Sequence, residues 1–349
     1  MKLSRNELKT LIKNKLMAAG LHEADAECGA ECMTWSHERG FASHGAVRTE
    51  YYSERIAKGG ITVDPHYTWT QTGPCSGTLD GDNGFGFPVA VEGMKKAIEM
   101  AKENGVAVVG MANMSHCGSV GYFAEMAAKE DLVAISFGQS DPMVIPYGGT
   151  EPFYGTNPIS FAAPTADDRL VNFDMATTVQ AWGKILDKRS KNESIPADWA
   201  VGTDGLPVTN PHLVHALVPI AGPKGYGLMM MVDVFSGVLL GVPFGKHVTS
   251  MYHDLSEGRC LGTMHIVIDP DRFIGREEFK KRMSIVCDEL GEVPPSPGND
   301  KVYYPGERAA MRKKKSDQEG IDVVDELVEY LRSDAIHFNR YDHKNRFAD

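Results

Sequence analysis

Two kinds of apolar pattern alternate along the chain. In some segments apolar residues recur every three or four positions, which predicts amphipathic helices, and in others they form short runs, which predicts buried strands. We predict helices as two elements within residues 4–38 and then over 43–57, 88–104, 121–129, 225–244 and 277–290. We predict strands over 106–110, 132–137, 159–163, 170–173 and 264–268. This order predicts an α/β protein.

A passage that carries proline and glycine interrupts this pattern between Asp64 and Pro74. Proline and glycine favour turns and linkers over regular elements. We therefore expect a domain boundary in this passage, close to residue 75.

Composition narrows the class of protein. The 349 residues are 42% hydrophobic and 24% charged, and the formal net charge is −11. An acidic chain argues against general binding of nucleic acid, which needs a basic surface. The six cysteines form no Cys-x-x-Cys motif, and the N-terminus is charged where a signal peptide is apolar. The long apolar stretch 225–244 contains Asp233 and Pro243, which favours a buried helix over a membrane span. We expect a soluble cytoplasmic protein.

Three functional side chains recur every fourth residue: His44, Arg48 and Tyr52. In a helix, four residues turn the chain by about 400°, so these side chains would share one face. That face would hold a proton-transfer group, a fixed cation suited to a carboxylate, and a phenol, which are the parts needed to oxidise a 2-hydroxy acid. The alternative is a polar helix face whose His and Arg are solvated or pair with a neighbouring helix.

His116 follows the strand at 106–110 and lies in a glycine-containing turn before the next helix. Ligands of α/β proteins usually bind at such strand ends. A neutral imidazole can accept an alcohol proton as hydride leaves the same carbon. The alternative is a loop histidine bonded to backbone. His44 and His116 could also be metal ligands, but no close pair of ligands accompanies them, so we expect no metal.

Three further charged residues lie where a ligand could be bound. Asp141 could orient a histidine or accept a substrate hydroxyl, and Asp174 could accept a ribose hydroxyl. Lys224 could contact a cofactor phosphate. The alternatives are a cap or turn for Asp141, the binding of backbone amides for Asp174 and an exposed lysine for Lys224.

The chain lacks the usual dinucleotide fingerprint. Gly84-Phe85-Gly86 begins like Gly-x-Gly-x-x-Gly, but no clear strand is predicted before it and Val89 occupies the third glycine position. A nicotinamide cofactor would therefore bind on a fold other than the Rossmann fold.

Four motifs carry a more specific signal. They are Ser43-His44-Gly45-x-x-Arg48-x-x-x-Tyr52, Ser115-His116-x-Gly118, Asp174-Met175-Ala176-Thr177 and Lys224-Gly225-Tyr226-Gly227. With them the chain resembles the type-2 malate/L-lactate dehydrogenase family nearly from end to end. The resemblance implies a non-Rossmann, nicotinamide-binding α/β domain with a mixed sheet, over 76–254. It also implies a helix-rich substrate and dimerisation domain, built from 1–75 and about 255–349.

The same resemblance implies roles for individual residues. The proton acceptor would be His116, with His44 as the alternative. The substrate, a small 2-hydroxy acid, would be bound by Ser43, His44, Arg48, Tyr52 and Asp141. NAD would be bound by Ser140, Asp174, Met175, Ala176, Lys224, Gly306, Glu307 and Arg308. The protein would be a homodimer or larger homo-oligomer, with its active site close to the subunit interface.

Overall fold

A computed structural model describes residues 1–341, and its elements follow the predicted alternation. The helices are α1 (Arg5–Ala19), α2 (Glu23–Glu38), α3 (Thr49–Ala57), α4 (Gly86–Asn104), α5 (Gly121–Ala128), α6 (Trp182–Ser190), α7 (Pro223–Ser236), α8 (Arg276–Glu292), α9 (Glu307–Glu319) and α10 (Asp325–Arg332). The strands are β1 (Lys2–Leu3), β2 (Thr68–Gly73), β3 (Ser76–Gly84), β4 (Val106–Met114), β5 (Val133–Gly138), β6 (Ile159–Pro164), β7 (Leu170–Met175), β8 (Ala200–Val201), β9 (Ala216–Leu217), β10 (Leu261–Ile268) and β11 (Ile321–Asp322).

A seven-stranded sheet forms the centre of the molecule, in the order β2-β3-β4-β10-β5-β6-β7. Strands β3 and β4 run parallel, and the other neighbouring strands run antiparallel. This arrangement differs from the parallel sheet of a Rossmann domain. The expected non-Rossmann α/β fold with a mixed sheet is confirmed.

Apolar side chains alternate between the two faces of this sheet. On one face Ala134 and Val267 pack with residues of α4 and α5. On the other face Phe137 and Met264 pack with Val232 of α7. Because helices cover both faces, strands such as β5 and β10 are apolar on both sides, which is why they read as continuous apolar runs in the sequence.

A helical layer lies beside the sheet and draws on both ends of the described chain. Strand β1 pairs with β11, and Leu8 and Ile12 of α1 share a core with Val328 and Leu331 of α10. Strands β2 and β10 lie outside the range 76–254, yet both are hydrogen-bonded members of the central sheet. The division into two domains stays a prediction, and a boundary at residue 75 would separate β2 from its hairpin partner β3.

The long apolar stretch that begins at residue 225 is shorter as a helix than predicted. Helix α7 ends at Ser236, and Gly237 precedes a short 3-10 turn. The buried carboxylate of Asp233 accepts hydrogen bonds from Gln139 Nε2 (3.3 Å) and the backbone N–H of Gly245 (3.0 Å). Within residues 1–341, no helix combines the length and the apolar character needed to cross a membrane.

Candidate active site

The first candidate motif adopts a different backbone from the one predicted. Ala42–His44 and Ala46–Arg48 are separate 3-10 turns, and α3 begins only at Thr49. The prediction of one helix over residues 43–57 is therefore wrong. Gly45 is the reason, since its backbone is not helical and a Cβ there would lie 2.8 Å from the His37 ring, too close for any side chain. The Gly45 backbone thus packs tightly against α2.

Despite this break, the motif meets the second candidate loop at one cavity of about 240 Å³. The cavity lies where β4, β5 and β7 end. Its lining includes most of the predicted catalytic, substrate and cofactor residues, namely Ser43, His44, Arg48, His116, Ser140, Asp141, Asp174, Met175 and Ala176. The fold therefore brings together residues as far apart in the sequence as Ser43 and Ala176.

The ring of His116 is held at Nδ1 by two groups. Its Nδ1 accepts a hydrogen bond from the backbone N–H of Gly118 (3.2 Å) and lies 2.6 Å from the hydroxyl of Tyr52. Gly118 has a φ of +73°, which lets the loop turn back on the ring. A backbone N–H can only donate, whereas a phenol can donate or accept, so the bond from Gly118 fits a ring proton on Nε2 and the Tyr52 oxygen can hold one on Nδ1. Burial raises the pKa of the Tyr52 phenol, which keeps its donor proton.

The two candidate histidines lie face to face. Their ring centroids are 6.0 Å apart and the ring planes differ by 19°. Burial, and then the neighbouring Arg48 cation, lowers the pKa of His44 to about 4. Burial, with His44, Arg48 and Arg259, holds the pKa of His116 well below its ordinary value. Both imidazoles are therefore neutral near pH 7 and have a lone pair that can accept a proton.

Arg48 is fixed at two points of its guanidinium group. Its Nε donates to the carbonyl of Ser43 (2.8 Å) and its Nη1 donates to the hydroxyl of Tyr252 (2.9 Å). These bonds restrict the side chain and leave other N–H groups of the guanidinium for a ligand. A planar cation with free N–H groups is suited to a carboxylate.

Asp141 is buried at the wall of the same cavity, with only 3% of its surface exposed. Its Oδ2 accepts from the backbone N–H of Met251 (3.0 Å), and its Oδ1 lies 3.6 Å from Nη2 of Arg259. Arg259 is 1% exposed, and both its Nη atoms lack a hydrogen-bond partner within residues 1–341. The buried cation of Arg259 therefore compensates the charge of the buried carboxylate of Asp141.

A second cavity of about 870 Å³ adjoins the first, and Phe41 and Asp174 line both. Burial raises the pKa of Asp174 to about 6, although its carboxylate accepts from the backbone N–H of Gly121. Asn172 also lines the larger cavity, and its buried Oδ1 has no hydrogen-bond partner within residues 1–341. A carboxylate and an unpaired amide oxygen are acceptors that ribose hydroxyls can satisfy. The volume and these acceptors fit a dinucleotide.

The remaining predicted cofactor residues divide between the cavities and the surface. Gly306 and Arg308 line the larger cavity. Lys224 is exposed in the first turn of α7 and lines neither cavity, and Glu307 forms an ion pair with Lys301 and also lines neither. Tyr52 reaches the site through its bond to His116, not as a lining residue.

Sequence reasoning missed several residues of the site, which are Asn172, Met251, Tyr252 and Arg259. Met251, Tyr252 and Arg259 lie in an irregular segment, residues 249–260, where no periodicity marks them. Asn172 lies on β7 two positions before Asp174, on the same side of the strand. That spacing of two was the one signal in the sequence that could have identified it.

The Gly84–Gly86 segment joins the last residue of strand β3, which the sequence did not predict, to the first residue of α4. A Cβ on Gly86 would lie 2.2 Å from the carbonyl oxygen of Ser115, and the Gly86 N–H donates to Ser115 Oγ (2.9 Å). The start of α4 therefore supports the His116 loop by close packing, and the segment lines neither cavity. Across residues 1–341, no group of three or more His, Cys, Asp or Glu side chains is arranged to hold a metal ion.

Comparison with known proteins places the chain in a family. The family described as "Malate/L-lactate dehydrogenase" matches residues 3–332. Ureidoglycolate dehydrogenase (NAD(+)) of Escherichia coli (strain K12) is 53% identical over 348 residues, which cover 100% of both chains. Malate/(S)-sulfolactate dehydrogenase of Methanothermus fervidus is 36% identical, over 97% of this chain and 98% of the relative.

Solved structures agree with these sequence matches. Sulfolactate dehydrogenase from Methanocaldococcus jannaschii superimposes with a TM-score of 0.89 at 33% identity, over 95% of this chain and 96% of that one. Malate dehydrogenase from Pyrococcus horikoshii OT3 superimposes with a TM-score of 0.85 at 33% identity, over 95% and 93%. The family expected from the sequence motifs is confirmed, and the chain belongs to the malate/L-lactate dehydrogenase family of oxidoreductases.

Proposed function

We propose that this protein is an NAD-dependent ureidoglycolate dehydrogenase, which oxidises (S)-ureidoglycolate to oxalurate in the breakdown of allantoin. The observation that carries the proposal is the 53% identity to the Escherichia coli ureidoglycolate dehydrogenase (NAD(+)), which extends over the whole of both chains. Identity to the malate/(S)-sulfolactate relative is 36%. The alternative substrates, within the same family, are malate, L-lactate and a keto-gulonate.

The reaction breaks two bonds at one alcohol carbon. The hydrogen on the carbon leaves as hydride, with the electron pair of the C–H bond. The hydroxyl loses its proton, and the electron pair of the O–H bond forms the carbonyl. NAD, when bound, supplies the hydride acceptor. The proton passes to a neutral imidazole, and we assign this role to His116, with His44 as the alternative.

Tyr52 suits both protonation states of His116. When the ring proton is on Nε2, the Tyr52 hydroxyl, 2.6 Å away, can donate to Nδ1. In the other tautomer Nδ1–H donates to the Tyr52 oxygen, and the free lone pair of Nε2 can take the alcohol proton. Once His116 has taken the proton, both ring nitrogens are donors and Nδ1 needs an acceptor. The Tyr52 oxygen can become that acceptor, whereas the N–H of Gly118 cannot. We therefore infer that Tyr52 stabilises the imidazolium that forms during the oxidation.

The substrate carboxylate is assigned to Arg48, supported by Ser43 and His44 in the same wall of the cavity. Bonds to Ser43 O and Tyr252 Oη already fix the guanidinium, so little side-chain freedom is lost when a carboxylate binds. Binding at this point would place the alcohol carbon between the carboxylate and the histidines. This is the arrangement that proton removal requires.

Asp141 is the feature that favours a ureido substrate over malate. A ureido group carries N–H donors, which a buried carboxylate can accept. Malate carries a second carboxylate at the corresponding end, which Asp141 would oppose, in part offset by Arg259. The polarity of this wall therefore supports ureidoglycolate.

NAD binding is assigned to the junction of the two cavities. Ser140, Met175 and Ala176 line the smaller cavity, Asp174 lies at the junction, and Gly306 and Arg308 line the larger one. Lys224 and Glu307 are also proposed to contact NAD, although neither lines a cavity. We also propose a cytoplasmic homodimer or larger homo-oligomer, and the six free cysteines agree with a reducing compartment.

Formation of NADH tests the proposal directly. We expect absorbance at 340 nm to rise with ureidoglycolate and NAD, and more slowly with malate or L-lactate at the same concentration. Faster turnover of malate would overturn the substrate and leave the enzyme class in place. A metal-dependent lyase or hydrolase would instead lose activity with a chelator and form no NADH.

A further inference from the structure

The end of the described chain returns to the helix that follows Arg48. The backbone N–H groups of Phe338 and Tyr341 donate to Glu50 Oε1 (3.1 Å) and Glu54 Oε2 (3.4 Å), respectively. Both carboxylates belong to α3 and are buried, at 6% and 0% exposure. Two backbone bonds to buried carboxylates fix residues 337–341 against α3, and we call this segment the C-terminal clasp.

The ring of Tyr341 lies in a layer of aromatic side chains behind the carboxylate-binding arginine. It stacks on Tyr252, with ring centroids 6.2 Å apart and planes 19° apart, and it meets Tyr51 edge-on at 5.7 Å. Tyr252 in turn accepts the hydrogen bond from Arg48 Nη1 (2.9 Å). The order of contacts is therefore Tyr341, Tyr252, Arg48.

The clasp joins two parts of the site that come from distant regions of the sequence. Tyr51 lies on α3, and Tyr252 lies in the irregular segment 249–260. An irregular segment has no ladder of backbone bonds to hold a side chain, so the orientation of Tyr252 depends on what packs against its ring. Tyr341 supplies a face for that ring while the backbone of the clasp is anchored on α3.

We propose that the C-terminal clasp sets the geometry of the carboxylate-binding site, and that Tyr341 is a positioning residue for Arg48 acting through Tyr252. The inference rests on the proposed function in one respect, the binding of the substrate carboxylate by Arg48. Loss of the Tyr341 ring frees Tyr252, and Arg48 then loses one of its two fixed hydrogen bonds. Substrate binding weakens, while NAD binding stays unchanged, because none of the residues assigned to NAD contacts the ring of Tyr341.

The test compares Tyr341→Ala with Tyr341→Phe and Phe338→Ala. Tyr341→Phe keeps the stacked ring, and Phe338→Ala removes a half-exposed ring of the same clasp that packs on Tyr330, away from the site. We measure kcat, the KM values of ureidoglycolate and NAD, and the melting temperature. Calorimetry with NADH and oxamate, a small unreactive carboxylate, gives a binding constant that does not depend on turnover.

We expect Tyr341→Ala to raise the KM of ureidoglycolate and the Kd of oxamate roughly three- to tenfold, the range for loss of one aromatic contact. The kcat should fall less than about twofold, and the KM of NAD should not change. Tyr341→Phe should match the wild type, and Phe338→Ala should lower only the melting temperature. If Tyr341→Ala does not fold, Tyr341→Leu keeps an apolar side chain and should show the same weakening.

Unchanged oxamate binding in Tyr341→Ala would overturn the inference, since the clasp would then serve stability alone. Failure of the proposed function would give a different result from failure of this inference. In that case the wild type forms no NADH from ureidoglycolate, while the oxamate measurement still reports on Tyr341.

Discussion

The two cavities differ in whether the groups assigned to the ligand are already bonded to the chain. Around the smaller cavity, His116 Nδ1 has a backbone donor and a phenol within bonding distance, and Arg48 donates to Ser43 and Tyr252. Around the larger cavity, the buried Oδ1 of Asn172 has no partner within residues 1–341. His116 and Arg48 are therefore held in advance in the first region, where the exception is Arg259 behind Asp141, whose Nη atoms have no hydrogen-bond partner within residues 1–341. The second region leaves an acceptor unpaired.

This difference corresponds to two tasks. Chemistry at the alcohol carbon needs a base and a cation held in place before substrate arrives, because orienting them during the reaction would add to the barrier. Binding of a dinucleotide needs acceptors that gain a partner on binding, since a buried unpaired polar atom is costly until it is satisfied. Substitutions in the first region should therefore change turnover and substrate KM, and those in the second should change the KM of NAD.

His116→Ala should produce the largest effect. We expect kcat to fall about a thousandfold, within the range for removal of a general base. The Kd of NADH, measured by fluorescence titration, should change less than about twofold. His44→Ala is the matched comparison, because its ring stacks on His116 at 6.0 Å. A larger loss in His44→Ala than in His116→Ala would transfer the role of base to His44.

Arg48→Lys should produce the next largest effect. We expect the KM of ureidoglycolate to rise roughly ten- to a hundredfold, since an ammonium cannot reproduce the planar fork of the guanidinium. Steady-state kinetics at saturating NAD measures this change. Arg282→Lys, an exposed arginine paired with Glu278 on α8, is the control and should match the wild type. An unchanged KM in Arg48→Lys would remove Arg48 from carboxylate binding.

Asn172→Ala tests the other region. We expect the KM of NAD to rise about fivefold, the effect of one lost hydrogen bond, while the KM of ureidoglycolate and the kcat stay within about twofold of the wild type. Because Asn172 Nδ2 also donates to the carbonyl of Gly121 (3.1 Å), a melting curve should accompany the kinetics. A rise in the substrate KM instead would show that the two regions are not separate in function.

The contrast between the regions also explains what could be predicted from sequence. The grouping of His44, Arg48 and His116 at one cavity could be predicted, because a histidine or arginine at short spacing, or beside a strand end, carries a chemical signal by itself. Their roles stay predictions. Arg259 and Tyr252 carry none, since their meaning depends on Asp141 and Arg48, which lie more than 100 residues away in the chain. Residues that act through a distant contact could not be identified from local pattern.

The fold shows the same limit. Strands β4, β5 and β10 were predicted from their apolar runs, but β3 was not, because it contains three glycines and two aspartates. It forms because its glycines make room for neighbours: a Cβ on Gly77 would lie 2.1 Å from the ring of Trp69 on β2. The pairing with β2 and β4 overrides the low strand propensity of its residues.

The smallest expected effect is a pH dependence that separates the two regions. Burial raises the pKa of Asp174 to about 6, so the charged carboxylate is present above that pH and is lost as pH falls through it. The pKa of His116 lies well below its ordinary value, so this base stays neutral over the same range.

Between pH 7.5 and 5.5 the KM of NAD should therefore rise about threefold, as a charged acceptor becomes a neutral one, and kcat should change less than about twofold. Asp174→Asn removes the titrating group and should give a KM of NAD that is higher but constant across this range. A fall in kcat with an unchanged KM of NAD would contradict both assignments at once. The group titrating near pH 6 would then be a base at the alcohol carbon, and the chemistry, not the binding of the cofactor, would depend on it.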